Sequence, residues 1–178
     1  MSDLIIRARE FARQKHALQL RRYTGEPYFV HLEEVASLVE RARLPETAIA
    51  AAWLHDVAED CDVKLTDLAH LFGNAVALMV YELTDEPPRE GTNREQRKGV
   101  DRRRLAIASV ETQGIKCADL ISSTSTIVKH NPGFAKLYLP EKRAILDVLI
   151  RAPALLRDHA WKSLLDAERE LEAADAVR

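Results

Sequence analysis

The sequence predicts an all-α fold, one helical bundle of about eight helices over 178 residues. Three observations carry this. Apolar residues recur at helical spacing along almost the whole chain, and no period-two run of convincing length marks a strand. The six glycines and seven prolines fall mostly between the periodic runs. A composition of 47% hydrophobic and 30% charged residues suits a single globular domain of this length.

The elements follow in order. Residues 3–19 read as a first helix, with Ser2 placed to cap it. Gly25, Glu26 and Pro27 break the chain, and Pro27 suits the first turn of a second helix reaching Ala42. Pro45 restarts a helix that is almost wholly apolar to Leu54 and ends in the acids of HDVAED. A helix apolar all round belongs in the middle of a domain. Two short helices are expected at 64–72 and 75–84, with Gly73 closing one and Asn74 capping the next. Residues 84–91 (TDEPPREG) are the longest loop signal. Thr92 and Glu95 stand at capping-box spacing and open a helix to Thr112, and Gly114 separates it from another over 115–130. Pro132 and Gly133 break again before a helix over 134–150, which Pro140 must end or kink. An amphipathic helix over 154–174 closes the chain.

Charge and cysteine content exclude several classes. A net charge of −2, from 26 basic and 28 acidic residues, lacks the basic excess of a broad nucleic-acid binder. The longest apolar stretch, residues 47–54, falls far short of the ~20 residues of a membrane span. The first sixteen residues scatter charges where a secretory leader needs an apolar core. Cys61 and Cys117 are too few for a disulfide framework. A cytoplasmic protein is the expectation, and nothing in the sequence fixes its oligomeric state.

Chemistry concentrates at the end of the apolar helix. His55 and Glu59 are four apart, as are Asp56 and Asp60, so each pair shares a face if the helix continues. Four ionisable groups there mean either a helix end that has reached solvent or charges that are paired or metal-bound. His31 lies near the apolar face of its helix, beside Val35 and Leu38, as a core histidine or a ligand. Asp119 lies in an apolar setting too, between Ile115 and Leu120, as an ion-pair partner or a ligand. Together His31, His55, Asp56 and Asp119 compose a mixed N/O set suited to one divalent metal. Residues 89–104 carry seven Lys/Arg against three acids, a solvated face or the rim of an anion site.

The order His, His-Asp, Asp on an all-α chain resembles the HD-domain phosphohydrolases. More narrowly, the chain is similar to the hydrolase half of the RelA/SpoT proteins and the small alarmone hydrolases. Residues 22–31 (RYTGEPYFVH) stand where that family has Arg-Lys-x-Gly-x-Pro-Tyr-x-x-His. Leu54 to Asp60 match its Leu-His-Asp-x-x-Glu-Asp, and Phe72 to Ala77 its Phe-Gly-x-x-Val-Ala. Arg97-Lys98 match an Arg-Lys pair, and Lys116 to Asp119 match Lys-x-Ala-Asp. The likeness covers about residues 5–150, leaving 151–178 as a C-terminal helix.

The resemblance implies a metal-dependent phosphohydrolase that removes the 3′-pyrophosphate of guanosine tetra- or pentaphosphate. It implies His31, His55, Asp56 and Asp119 as ligands of one Mn²⁺, and Glu59 and Asp60 as catalytic acids. Arg22, Arg97, Lys98, Lys116, Ser123 and Tyr138 are the substrate-binding candidates. Two departures bear on specificity. Tyr23 replaces the motif's Lys, while Ser123 and Ser125 replace an Asn and an Arg. A less highly phosphorylated nucleotide, another phosphorylated small molecule, or binding without turnover are the alternatives these departures leave. Ser122, Ser123 and Thr126 fall at i+3, i+4 and i+7 from Asp119, an expected hydroxyl stripe on the pocket face.

Overall fold

The computed structural model describes residues 2–124 and 126–176; Ser125 lies outside them. The described residues form eleven helical segments and no strand. The order is α1 (Asp3–Lys15), α2 (Tyr28–Arg41), α3 (Glu46–Leu54), α4 (Val57–Asp60), α5 (Leu65–Phe72), α6 (Asn74–Leu83), α7 (Arg94–Ile107), α8 (Val110–Thr124), α9 (Ile127–His130), α10 (Pro132–Leu146) and α11 (Ala154–Ala176). The all-α expectation holds. The surplus over eight comes chiefly from α4 and α9, single turns split from runs that the periodicity joins to α3 and α8.

Helix α3 is the centre. Ala48, Ala50, Ala51, Ala52 and Leu54 are fully buried. Alanines let neighbouring backbones approach closely, and α1, α2 and α6 pack around this helix. Helix α8 runs beside α2 and α11 and also touches α3 and α6, so α2, α3 and α8 share one wall of the core. Helix α10 closes against α11 and α9, with α7 beside it.

Several local expectations are corrected by the packing. Helix α1 stops at Lys15, not residue 19; Ser2 occupies its N-cap position without a side-chain cap bond. Asn74 lies inside α6, and Gly73, at φ +91°, serves as both the end of α5 and the cap of α6. Only glycine adopts that backbone at little cost. The capping box of α7 is Asn93–Gln96, one residue later than expected: Gln96 N donates to Asn93 Oδ1 and Asn93 N to Gln96 Oε1, both at 2.9 Å. Thr92 instead closes the preceding turn onto Arg89 O at 2.7 Å. The break after α7 is at Ala108 and Ser109, where Ser109 Oγ accepts from Thr112 N at 3.0 Å. Gly114 does not separate helices; it sits within α8. A Cβ there would lie 2.9 Å from Leu44 Cδ1 and 3.1 Å from Pro153 Cδ, so the glycine allows α8 its close approach. Pro140 lies inside α10, which runs from Pro132 to Leu146.

Two loops frame the site. Residues 19–28 fold back on themselves, with Arg21 N on Glu26 O at 2.7 Å and Tyr28 N on Gln19 O at 2.9 Å, turning at Gly25 (φ +73°). The loop after α6 is pinned by buried Asp101 of α7, which accepts from Glu86 N at 2.8 Å and from Arg104 at 2.9 Å. No helix among the described residues is long and apolar enough to cross a membrane.

Candidate active site

Three elements converge. Helix α2 carries His31, the turn between α3 and α4 carries His55 and Asp56, and α8 carries Asp119. The turn exists because the helix breaks at Asp56, whose φ of −101° and ψ of −4° leave the α-helical path. His31 Nε2 lies 3.6 Å from both Asp56 Oδ2 and Asp119 Oδ1, and His55 Nε2 lies 3.0 Å from Asp56 Oδ2. Both imidazoles are 3% exposed, and their ring centroids are 5.3 Å apart.

Each ring is held by its outer nitrogen. His55 Nδ1 donates to Ala52 O at 2.8 Å, so the buried Nε2 is turned inward. His31 Nδ1 meets Ser122 Oγ at 2.8 Å, and Ser122 in turn donates its hydroxyl proton to Glu34, which also accepts from Arg21 at 3.3 Å. With the serine proton given to a carboxylate, His31 Nδ1 is the donor and its Nε2 is the free electron pair. Asp56 Oδ2 accepts from Tyr28 OH at 2.6 Å, and Asp119 accepts from Lys116 at 2.8 Å and from Ser123 at 3.0 Å.

These residues fit a divalent ion. Donor atoms of His31, His55 and Asp56 all lie within 4.8 Å of one another, and Asp119 reaches His31 across the same space. His55 Nε2 is buried and makes no aligned hydrogen bond, although Asp56 Oδ2 lies 3.0 Å away, an arrangement of two donor atoms that a metal between them would suit. Nitrogen and carboxylate oxygen together suit a borderline transition metal, and ligating histidines are commonly fixed through the other ring nitrogen in this way.

Electrostatics agree. Burial draws the His55 imidazolium down, but the Asp56 and Asp119 charges outweigh it and lift the ring to about 9. Burial and the neighbouring His55 charge push His31 below its ordinary value. Against the cost of burial, His55 and His31 hold Asp56 far below the carboxylate range, and Lys116 foremost does the same for Asp119.

A model of the HD domain matches residues 8–132 of the chain. The chain belongs to the HD-domain family.

A protein of Brucella suis named GTP pyrophosphokinase rsh is 27% identical over 94% of this HD chain. A probable guanosine-3′,5′-bis(diphosphate) 3′-pyrophosphohydrolase of Synechocystis is 33% identical over 72% of it. The chain spans 24% of the first protein's length and 17% of the second's. A solved structure described as a metazoan ortholog of SpoT that hydrolyzes ppGpp superposes with a TM-score of 0.82 at 25% identity. That match covers 93% of this chain and 96% of the other.

Two clefts open on this HD domain, one of them lined by the ligand candidate His31. One, of about 240 Å³, is lined by Arg22, Tyr23, His31, Ser123, Tyr138 and Lys142, among others. The second, of about 400 Å³, is lined by Glu59, Asp85, Arg94, Arg97 and Lys98. Glu59 and Asp60 do not act as the neighbouring faces of one continuous helix. The break at Asp56 turns Glu59 toward the loop, where it accepts from Asp85 N at 3.1 Å, and Asp60 toward Gln19, which donates to it at 2.8 Å. Burial, then the Asp85 charge, raises the Glu59 carboxyl.

The remaining candidates fall as follows. Arg22 stacks over the Tyr23 ring at 5.6 Å. Arg97 donates to Thr92 O at 3.1 Å, Lys98 pairs with Asp85, and Lys116 is bound to Asp119. Of the expected hydroxyl stripe, Ser123 and Thr126 line the smaller cleft, while Ser122 turns away to serve His31. Sequence reasoning missed Tyr28, Asp85, Glu34 and Lys142. Tyr28 was within reach, three residues before His31 in the quoted motif. Glu34 and Asp85 are indistinguishable from surface acids until the chain folds. Lys142 sits in the YLPEK stretch, where only Tyr138 drew notice.

Proposed function

We propose that the chain is a Mn²⁺-dependent hydrolase of guanosine tetra- and pentaphosphate, cleaving the 3′-pyrophosphate as inorganic pyrophosphate. The observation that carries this reading is the convergence of two buried imidazoles and two carboxylates, with His31 also lining a cleft that holds Arg21, Arg22 and Lys142. The likeness to proteins named as 3′-pyrophosphohydrolases supports it. In this reading residues 1–178 act as one domain in the cytoplasm, and the substrate is the nucleotide alone.

His31, His55, Asp56 and Asp119 hold one divalent ion. When bound, such an ion polarises a phosphate oxygen and acidifies a water. Glu59 takes the proton from the attacking water; its raised carboxyl suits a group that must gain a proton and then return it. Asp60, fixed by Gln19, helps to orient that water. Arg97 and Lys98 supply charge at the larger cleft and Arg22 at the smaller, where Ser123 and Tyr138 offer hydroxyls. The aromatic wall of Tyr23, Phe134 and Tyr138 offers a stacking surface for a base, its rings 5.7–6.4 Å apart.

The test is turnover. Purified protein reconstituted with Mn²⁺ is expected to release pyrophosphate and GDP from guanosine tetraphosphate, with no release after chelation. A nucleotide panel then separates this reading from its neighbour. Tyr23 in place of a lysine favours a less phosphorylated nucleotide as the second reading. Faster cleavage of such a compound than of the alarmone would replace the first reading with it.

A further inference from the structure

Three anions near the ligand cluster are matched by cations. Asp119 holds Lys116 at 2.8 Å, Asp85 holds Lys98, and Glu141 holds Arg94 at 2.6 Å. Lys142, the residue after Glu141 on α10, is left over. Among the described residues its ammonium makes no ion pair and no hydrogen bond; its neighbour is the Tyr138 ring, 4.7 Å from Nζ to centroid.

The position of Lys142 is informative. It lines the smaller cleft together with His31, Ser123 and Tyr138. It also lies within electrostatic reach of Lys116, Asp119, Asp85 and Lys98. Burial, then repulsion from Lys116, pulls its ammonium down to about 8. The acids it feels, Asp119 and Asp85, are already paired with Lys116 and Lys98, so an anion in the cleft would supply a counter-charge of its own. Tyr23 and Phe134 line the same cleft, their ring centroids 6.4 Å apart.

We propose that Lys142 binds the pyrophosphate group of the substrate and supplies, from α10, the cation that Tyr23 does not supply from the loop between α1 and α2. This rests on the phosphohydrolase reading for its substrate, but not for its ligand chemistry. The group recognised is a diphosphate, and the residue determines affinity rather than bond cleavage.

The experiment uses Mn²⁺-loaded protein and inorganic pyrophosphate as the probe, with affinity read by calorimetry. Lys142→Met keeps most of the side-chain volume and removes the charge; Lys142→Gln is the second variant should the first fail to fold. Loss of one charge-assisted contact is expected to weaken pyrophosphate binding about ten- to a hundredfold. Lys142→Arg is expected to restore most of it, and metal content and Tm to stay near the parent's. In turnover, KM for the alarmone rises in the same proportion while kcat changes less. Unchanged pyrophosphate affinity in a folded, metal-loaded variant overturns the proposal, as does failure of the parent to bind pyrophosphate. Failure of the functional reading looks different: the parent binds pyrophosphate through Lys142 but releases none from the alarmone.

Discussion

At the scale of single residues, the site works through partners two bonds removed from the chemistry. Ser122 illustrates this. Its oxygen accepts from His31 Nδ1 at 2.8 Å and its proton goes to Glu34, which fixes the imidazole tautomer. Ser122→Ala leaves a small side chain in a buried place, so the fold is expected to persist. Loss of an orienting partner behind a metal-bound histidine typically lowers metal affinity about 10–100-fold. Competition against a chelator of known affinity measures this, and parental affinity would mean that packing alone holds the ring. Glu59 gives the complementary case. Glu59→Gln preserves shape and keeps an acceptor for Asp85 N, but cannot take a proton. Turnover is expected to fall ~10²–10⁴-fold with metal retained. A near-parental rate would remove Glu59 as the base.

At the scale of elements, glycines report which contacts were under pressure. Gly114 and Gly99 both lie inside helices, α8 and α7, where alanine is intrinsically better by about 1 kcal/mol. At Gly99 a Cβ would meet Arg103 Nη1 at an ordinary 3.5 Å, so Gly99→Ala is expected to stabilise by up to ~1 kcal/mol. At Gly114 the Cβ would meet Leu44 at 2.9 Å and the ring of Pro153 at 3.1 Å. Leu44 can swing aside, but a proline ring cannot. Overpacking of this kind costs ~1–3 kcal/mol, which exceeds the propensity gain. Urea midpoints of the two variants should therefore move in opposite directions. A rise in both would show that α8 can shift without penalty. Because Asp119 rides on α8, that outcome would also mean the ligand cluster tolerates helix movement.

At the scale of the whole molecule, a metal at the proposed site would compete with protons for one set of atoms. In the metal-free protein His55 titrates near 9, against about 6.5 in an unfolded chain. A raised folded value contributes stability that is complete below pH 6.5 and is lost as pH climbs toward 9. His31 is shifted the opposite way, so its effect falls below pH 6.5 and leaves that window untouched. A metal ion needs the neutral ring and displaces the His55 proton, so its apparent affinity is expected to rise about tenfold per pH unit up to about 9. Stabilisation by a bound ligand grows with its concentration over Kd, roughly 2.7 kcal/mol at a hundredfold excess. The difference in Tm between metal-loaded and metal-free protein should therefore widen from pH 6.5 to 9. A constant difference across that range would place His55 outside the coordination.

The sequence by itself determined the helical class, the central place of α3 and the identity of the four converging ligand candidates. Period and motif are local or order-based signals, and they survive in one dimension. An apolar run such as residues 47–54 can only be buried, and His31, His55-Asp56 and Asp119 keep their order however the helices pack. The tertiary structure alone decided which way Glu59 and Asp60 face, because a one-residue departure at Asp56 redirects everything after it. It decided that Gly114 is a contact and not a boundary, since Leu44 and Pro153 are distant in sequence. It decided as well that Lys142 of α10 lines the cleft, whereas the Lys116–Asp119 pair, three residues apart on α8, is already open to the spacing of the sequence. Which charges of different helices meet depends on distances between those helices, and nothing in the spacing of a sequence encodes those distances.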